Sequence, residues 1–230
     1  MNIIFLCTDL DGPILDCQER YYAVYQDLVN EFGGQPISRT EYWDGKKNRV
    51  SEKNLLSLSS VKEICYDEYS RLRISRIEDE RYLEKDLLQP HSHTTLVKLS
   101  SVFPKIILIT MRRNEAALMK QLTDLDILRF FHEILTGYNE NIPGWKVKAG
   151  LFVDRILRRN NISGYKGFFV GDTEVDILAG KELGLQTVAV LSGIRSAEIL
   201  KNYRPDLIVD DLSDFYHYIH GRDSNGNPLC

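Results

Sequence analysis

Apolar runs of strand length alternate with segments of helical periodicity along most of the chain, and the strand-like runs stop abruptly at polar clusters. The first, Ile3-Ile4-Phe5-Leu6-Cys7, ends in Thr8-Asp9-Leu10-Asp11 and is broken by Gly12-Pro13. Tyr21, Tyr25, Leu28 and Phe32 then recur at helical spacing, predicting a helix over 17–32 that Gly33-Gly34 stops. Residues 35–49 read as a polar connection carrying Trp43, Gly45, Lys46, Lys47 and Arg49. From Ser60 to about Leu88 a densely charged stretch places Val61, Ile64, Tyr69, Leu72, Ile77 and Leu83 at regular intervals, predicting one long or two short helices. The whole of 15–88 therefore reads as helical.

A helix over 92–101 leads to a second buried strand, Lys105 to Ile109, ending on Thr110. Beyond it the pattern predicts a helix over 114–126, a strand over 133–136, a helix over 147–159, and a strand over 167–170 running into Gly171-Asp172. A helix to Leu183, a strand over 185–191, a weakly patterned helix, a strand over 206–209 and a helix over 211–219 complete the alternation. Such alternation implies an α/β fold with a doubly wound, mostly parallel, Rossmann-like sheet. A crossover between parallel strands needs only a dozen or more residues, yet about 90 separate the first two strands. The surplus is an inserted all-helical cap domain. The expected division is an α/β core of 1–14 and 89–221, a cap of 15–88, and a disordered tail of 222–230, where the sequence turns polar with Asn225-Gly226-Asn227-Pro228.

Composition narrows the partners. The 230 residues are 43% hydrophobic and 27% charged, with 29 basic against 33 acidic side chains for a net charge of −4. That balance offers no cationic surface for nucleic acid or an anionic membrane, and no stretch approaches the roughly 20 apolar residues of a membrane span. Cys7, Cys17, Cys65 and Cys230 lack metal-knuckle spacing and suggest no disulfide framework, which fits a cytoplasmic protein. A monomer or a homodimer is expected.

In a parallel sheet, ligands bind outside the carboxyl ends of the strands. Asp9, Asp11, Thr110, Lys148 and Asp172 all lie at or just past that edge. Carboxylates without a histidine or cysteine cluster suit a hard cation such as Mg²⁺, and a lysine and a hydroxyl aimed at the same point suit the oxygens of a phosphoryl group.

Taken together, Asp9-Leu10-Asp11-Gly12-Pro13, Ile107-Leu108-Ile109-Thr110, Lys148 and Gly171-Asp172-Thr173-Glu174-Val175-Asp176 resemble the four motifs of the haloacid dehalogenase-like superfamily. Asp176-Ile177-Leu178-Ala179-Gly180, Leu183-Gly184 and Arg204-Pro205-Asp206 are similar to its phosphoglycolate-phosphatase-like branch. The resemblance spans the core and not the cap. It implies a Mg²⁺-dependent phosphatase acting on a small phosphorylated metabolite, a phosphomonoester, through an aspartyl-phosphate on Asp9. Asp11 would be the general acid and base. Asp9, the Asp11 carbonyl and Asp172 would hold the metal, with Asp176 acting through water or by orienting Asp172 and Lys148. Thr110 and Lys148 would bind phosphoryl oxygens, assisted by the N–H groups that follow Thr110, while Gly12, Met111 and Arg112 would contact substrate. Arg112 stands where the family often has a small residue or Asn, and suggests a second anionic group on the substrate. Lys146 and Lys148 both fit the lysine position, with Lys148 favoured. A phosphomutase using the same intermediate, or a non-catalytic binding protein of this fold, are the alternatives.

Overall fold

Alternate side chains of a strand point to opposite faces, so a strand apolar at every position must be covered on both. In the computed structural model, which describes residues 3–221, β1 (Ile3–Thr8) does this: Phe5 and Cys7 enter one hydrophobic cluster and Leu6 the other. The chain then leaves the sheet through β2 (Leu15–Asp16) into α1 (Gln18–Glu31), α2 (Arg39–Lys47), α3 (Glu52–Leu58), α4 (Tyr66–Arg76) and α5 (Glu80–Leu83), and returns along β3 (Leu87–Leu88). It continues through α6 (Ser92–Val102), β4 (Lys105–Thr110), α7 (Glu115–Asp124), β5 (Glu133–Thr136), α8 (Gly144–Phe152), β6 (Tyr165–Gly171), α9 (Glu174–Glu182), β7 (Gln186–Val190), α10 (Ala197–Lys201), β8 (Leu207–Val209) and α11 (Leu212–His220).

The main sheet has the order β5-β4-β1-β6-β7-β8, with every pairing parallel. Successive strands are laid down outward from β1 in one direction, then from β1 in the other, so the strand order reverses between β1 and β6. Ligands of doubly wound sheets bind at such a reversal. One face is sealed by Leu96, Leu99, Leu118, Leu122 and Phe215 from α6, α7 and α11, the other by Phe152 and Ala179 from α8 and α9.

The inserted helices carry their own core, in which Val24, Tyr25 and Leu28 of α1 meet Tyr42, Leu55, Leu56, Tyr69 and Tyr82. Tyr25 and Tyr42 stack at 4.3 Å. The insertion is not wholly helical, as the sequence pattern suggested: β2 and β3 pair antiparallel where it leaves and rejoins the core. Nor is 35–49 a polar connection. It contains α2, started by a capping box in which Ser38 Oγ accepts from the Glu41 N–H at 3.2 Å and Glu41 Oε2 accepts from the Ser38 N–H at 3.1 Å. Helix α8 starts at Gly144, not at 147, and passes into a π-helical stretch over Val153–Arg158. The expected tail of 222–230 lies outside the described residues.

Candidate active site

Three strand ends bring the carboxylates together. Asp9 follows β1, Thr110 closes β4 and Asp172 follows β6, and β1 lies between β4 and β6 in the sheet. Asp9 is held by its neighbours: its N–H donates to the Val170 carbonyl at 3.0 Å, and its Oδ1 accepts from the Leu10 N–H at 2.8 Å. From α8, Lys148 Nζ lies 2.8 Å from Asp9 Oδ2 and 2.6 Å from Asp176 Oδ1, its side chain only 1% exposed. Lys146 is exposed and lies over the Trp145 ring, so the helix face that enters the site is that of Lys148. Asp176 Oδ2 accepts from the Thr173 N–H and hydroxyl at 3.1 and 2.7 Å, closing the first turn of α9. Both of its oxygens are thus engaged.

Asp172 sits in a slot that only glycines leave open. A Cβ on Gly12, whose φ is +97°, would fall 2.3 Å from the Asp172 carboxyl carbon, and one on Gly193 would fall 2.0 Å from Asp172 Oδ2. That oxygen also accepts from the Ile194 N–H at 2.6 Å. The loop 192–194 beyond β7 was not singled out in the sequence, although Ser192-Gly193 directly follows a strand and is therefore at the functional edge of the sheet. The Gly12 carbonyl accepts from Gln89 Nε2 and Ser192 Oγ, which ties this loop to the base of the cap.

The donor set fits a hard divalent cation. Carboxylate oxygens of Asp9, Asp172 and Asp176 lie within 4.8 Å of one another. Three carboxylates face one lysine, a formal −3 + 1 = −2 in a buried place, and uncompensated buried charge is costly. The strain shows in the acidities. Burial, partly offset by Lys148 and reinforced by Asp176 and Asp11, lifts Asp9 from 3.8 to about 7. Burial, with Asp176 and Asp9, raises Asp172 well above the usual carboxylate range. Lys148 goes the other way: burial would lower it, but Asp176 and Asp9 outweigh burial and keep it firmly protonated. A bound cation would restore the ionised form of each carboxylate.

Asp11 belongs to a different network. Its Oδ2 accepts from Arg20 Nη2 at 2.6 Å and from Arg112 Nε at 3.1 Å, and its Oδ1 from Arg112 Nη2 at 2.6 Å. Asp86 closes the square, 3.1 Å from Arg20 Nε and 3.2 Å from Arg112 Nη2, and Gln121 Nε2 donates to it at 2.9 Å. Here two arginines balance two aspartates. Burial would raise Asp11, but Arg112 and Arg20 outweigh it and hold the carboxyl well below its usual range. In this arrangement Asp11 is a carboxylate, ready to take a proton; to give one it must leave at least one arginine. The guanidinium of Arg112, expected to meet a substrate anion, is instead committed to Asp11 and Asp86. Sequence reasoning missed Arg20 and Asp86, which lie in charged helical and linker sequence without any distinguishing spacing.

Between these networks and the cap lies a cavity of about 360 Å³, at the small end of ligand pockets. Thr110 and Met111 border it from the core, and Tyr21, Trp43, Arg73 and Ile77 from the cap. Thr110 is buried, with its Oγ1 3.4 Å from the Arg112 nitrogen. The cap is docked at two seams. Glu78 accepts the Arg113 and Asn114 N–H groups at the start of α7, and Arg49 and Arg195 converge on Glu174. Lys46, Lys47 and Arg49, expected in a solvated loop, belong to this second seam: Arg195 donates to the Lys46 carbonyl and the Ser196 N–H to that of Lys47.

The site residues Lys148, Asp172 and Asp176 fall within a match to a known family. A family model described as HAD-hydrolase-like matches 148–215. Phosphoglycolate phosphatase 1 of Pseudomonas aeruginosa is 26% identical over 213 residues, covering 90% of this chain and 76% of that protein. The phosphoglycolate phosphatase of Vibrio cholerae is 24% identical over 217 residues, covering 92% and 94%. A haloacid dehalogenase-like family hydrolase from Streptococcus pneumoniae shares the fold with a TM-score of 0.72 over 94% of this chain and 98% of that one, at 20% identity. The doubly wound sheet with its inserted helices is the fold of that haloacid dehalogenase-like hydrolase. The similarity to these enzymes supports a phosphatase of the phosphoglycolate-phosphatase-like kind.

Proposed function

We propose that the protein is a Mg²⁺-dependent phosphatase that hydrolyses a small phosphomonoester through an aspartyl-phosphate on Asp9. The observation that carries this reading is the −2 cluster of Asp9, Asp172 and Asp176 against Lys148 at the point where the strand order reverses. Asp9, Asp172 and the Asp11 carbonyl would hold Mg²⁺, while Asp176, with both oxygens engaged, keeps Lys148 in place. Bound there, Mg²⁺ supplies Lewis-acid neutralisation of the phosphoryl oxygens.

Asp9 has one carboxylate oxygen fixed by the Leu10 N–H and the other on Lys148. One of them attacks phosphorus, and the bond to the leaving oxygen breaks. Lys148 and Thr110 bind the phosphoryl oxygens, assisted by the main-chain N–H groups past Thr110. Asp11, once released from an arginine and protonated from solvent, gives the leaving oxygen that proton, and as the carboxylate takes one back from the water that then attacks phosphorus and releases Asp9. The cap, 15–88 as a unit, closes over the cavity and keeps bulk water from the intermediate. Every group comes from one chain, so a monomer suffices and a homodimer is compatible. The buried, unpaired thiols of Cys7 and Cys17 support a cytoplasmic setting, and phosphoglycolate, for which the relatives are named, is the first substrate to assay.

Rapid quenching during turnover, borohydride reduction and peptide mapping test the covalent step. Conversion of Asp9 to homoserine is expected. Conversion of Asp11 instead, or of neither while phosphate is released, contradicts the assignment.

A further inference from the structure

The cavity is lined by several cations, and most are already matched. Lys148 is bound by Asp9 and Asp176, and Arg20 and Arg112 by Asp11 and Asp86. Arg113 lies flat against Tyr138, 3.5 Å from its ring centre. Arg73, on the inner side of α4, is different. The carboxylate in its range is Glu52, whose Oε1 is 3.8 Å from Arg73 Nε, beyond hydrogen-bond distance. Glu52 is also shared, with Lys46 Nζ at 3.1 Å and the Tyr69 hydroxyl at 3.3 Å. One carboxylate between Lys46 and Arg73 leaves +2 − 1 = +1 on the cap wall. The Arg73 side chain lines the cavity, is 26% exposed and makes no hydrogen bond among the described residues. A guanidinium on a cavity wall without an acceptor of its own is a place where an anion can bind. The helical pattern of α4 concealed this, because Arg71, Arg73 and Arg76 sit among acids like a solvated face; Arg71 and Arg76 do pair outward, with Glu68 and Glu31.

We propose that Arg73 is a specificity-determining residue that receives a second anionic group, carried on the leaving-group side of the phosphomonoester. The inference rests on the phosphatase reading for the placement of the phosphoryl end against Asp9 and Lys148. The substrate then spans the cavity: dianionic phosphoryl at the sheet edge, a carboxylate or second phosphate at α4. A neutral leaving group leaves the Arg73 guanidinium unmatched.

The test measures binding and turnover separately, with Mg²⁺ present. Phosphonoacetate, ethylenediphosphonate and methylphosphonate serve as inert probes with a carboxylate, a second phosphonate and neither. By calorimetry, the wild-type protein should bind at least one of the first two roughly tenfold more tightly than methylphosphonate, the size of one charge-assisted hydrogen bond. Whichever does so identifies the anion. Arg73→Met should erase that preference and leave methylphosphonate binding unchanged, while Arg73→Lys should restore part of it. In turnover, Arg73→Met should raise KM for carboxylated or bisphosphorylated substrates and leave kcat/KM for an aryl phosphate unaltered. Equal losses for all three probes, or no wild-type preference, would overturn the role of Arg73 while an active wild type leaves the phosphatase reading standing. Anion-selective binding lost in Arg73→Met, with no phosphate released from any substrate, would instead sink the phosphatase reading and keep the anion pocket.

Discussion

Asp172 shows how far one side chain depends on what its neighbours lack. Gly12 and Gly193 leave it a slot with no room for a Cβ on either side. Gly193→Ala should therefore displace the carboxylate and weaken Mg²⁺ binding by roughly 10- to 100-fold, as loss of a ligand's support does. Circular dichroism should show an intact fold; unchanged Mg²⁺ affinity in a titration would show that Asp172 is not a ligand. Acidity gives a second prediction. Asp9 is lifted from 3.8 to about 7, so the folded state holds this proton more tightly than the unfolded chain does. Ionising it therefore costs stability, and in chelator the melting temperature should fall as pH rises across that window. Mg²⁺ competes with the proton, so the rise in melting temperature it produces should be larger at pH 7.5 than at pH 5. A Mg²⁺ effect independent of pH would contradict this. Asp9, Thr110 and Asp172 were legible in the sequence because each ends an apolar run, and a strand end in a parallel sheet is a defined place. Arg20, Asp86 and Arg73 were not: a charged residue on a charged helix or linker gives no sign of whether it faces inward.

At the scale of elements, the square of Asp11, Arg20, Arg112 and Asp86 joins β1, α1, the β4–α7 loop and the base of the cap. Its charges cancel, and breaking that balance should be expensive. Asp86→Asn leaves two buried arginines with one carboxylate and should cost about 3–5 kcal/mol in urea unfolding. A loss below 1 kcal/mol would mean that the arginines find other partners. The same substitution draws both arginines onto Asp11, so kcat should fall more for alkyl than for aryl phosphates, which need less help from an acid. Element prediction succeeded where the apolar period was strong, as in α1 and in β1 and β4 to β8 of the main sheet. It failed over Arg39–Lys47, where Tyr42 is the large apolar side chain buried in the cap core and the signal lay in Ser38 and Glu41, three residues apart.

At the scale of the molecule, a sheet that fixes the carboxylates is joined to helices that carry the opposite wall of the cavity. The presence of inserted helices was readable from the 90-odd residues between the first two strands predicted, far more than a crossover requires. What the length of an insertion could not convey is how it docks. At the Glu174 seam, Arg49 from the inserted helices and Arg195 from beyond β7 meet one carboxylate. Glu174→Gln should leave the melting temperature nearly unchanged and alter kcat and KM together, as changes in lid closure do. Unaltered kinetics would place the closing step elsewhere. Whether Asp9, with a divalent cation, drives phosphoryl transfer to water is tested most directly by phosphate release from phosphoglycolate and a panel of other small phosphomonoesters. Release is expected with Mg²⁺, none in chelator, and a loss on the order of 10⁴-fold or more in Asp9→Asn, as when a covalent nucleophile is removed. Release that survives chelation or Asp9→Asn, or no release from a folded protein that binds Mg²⁺, would contradict that role of Asp9.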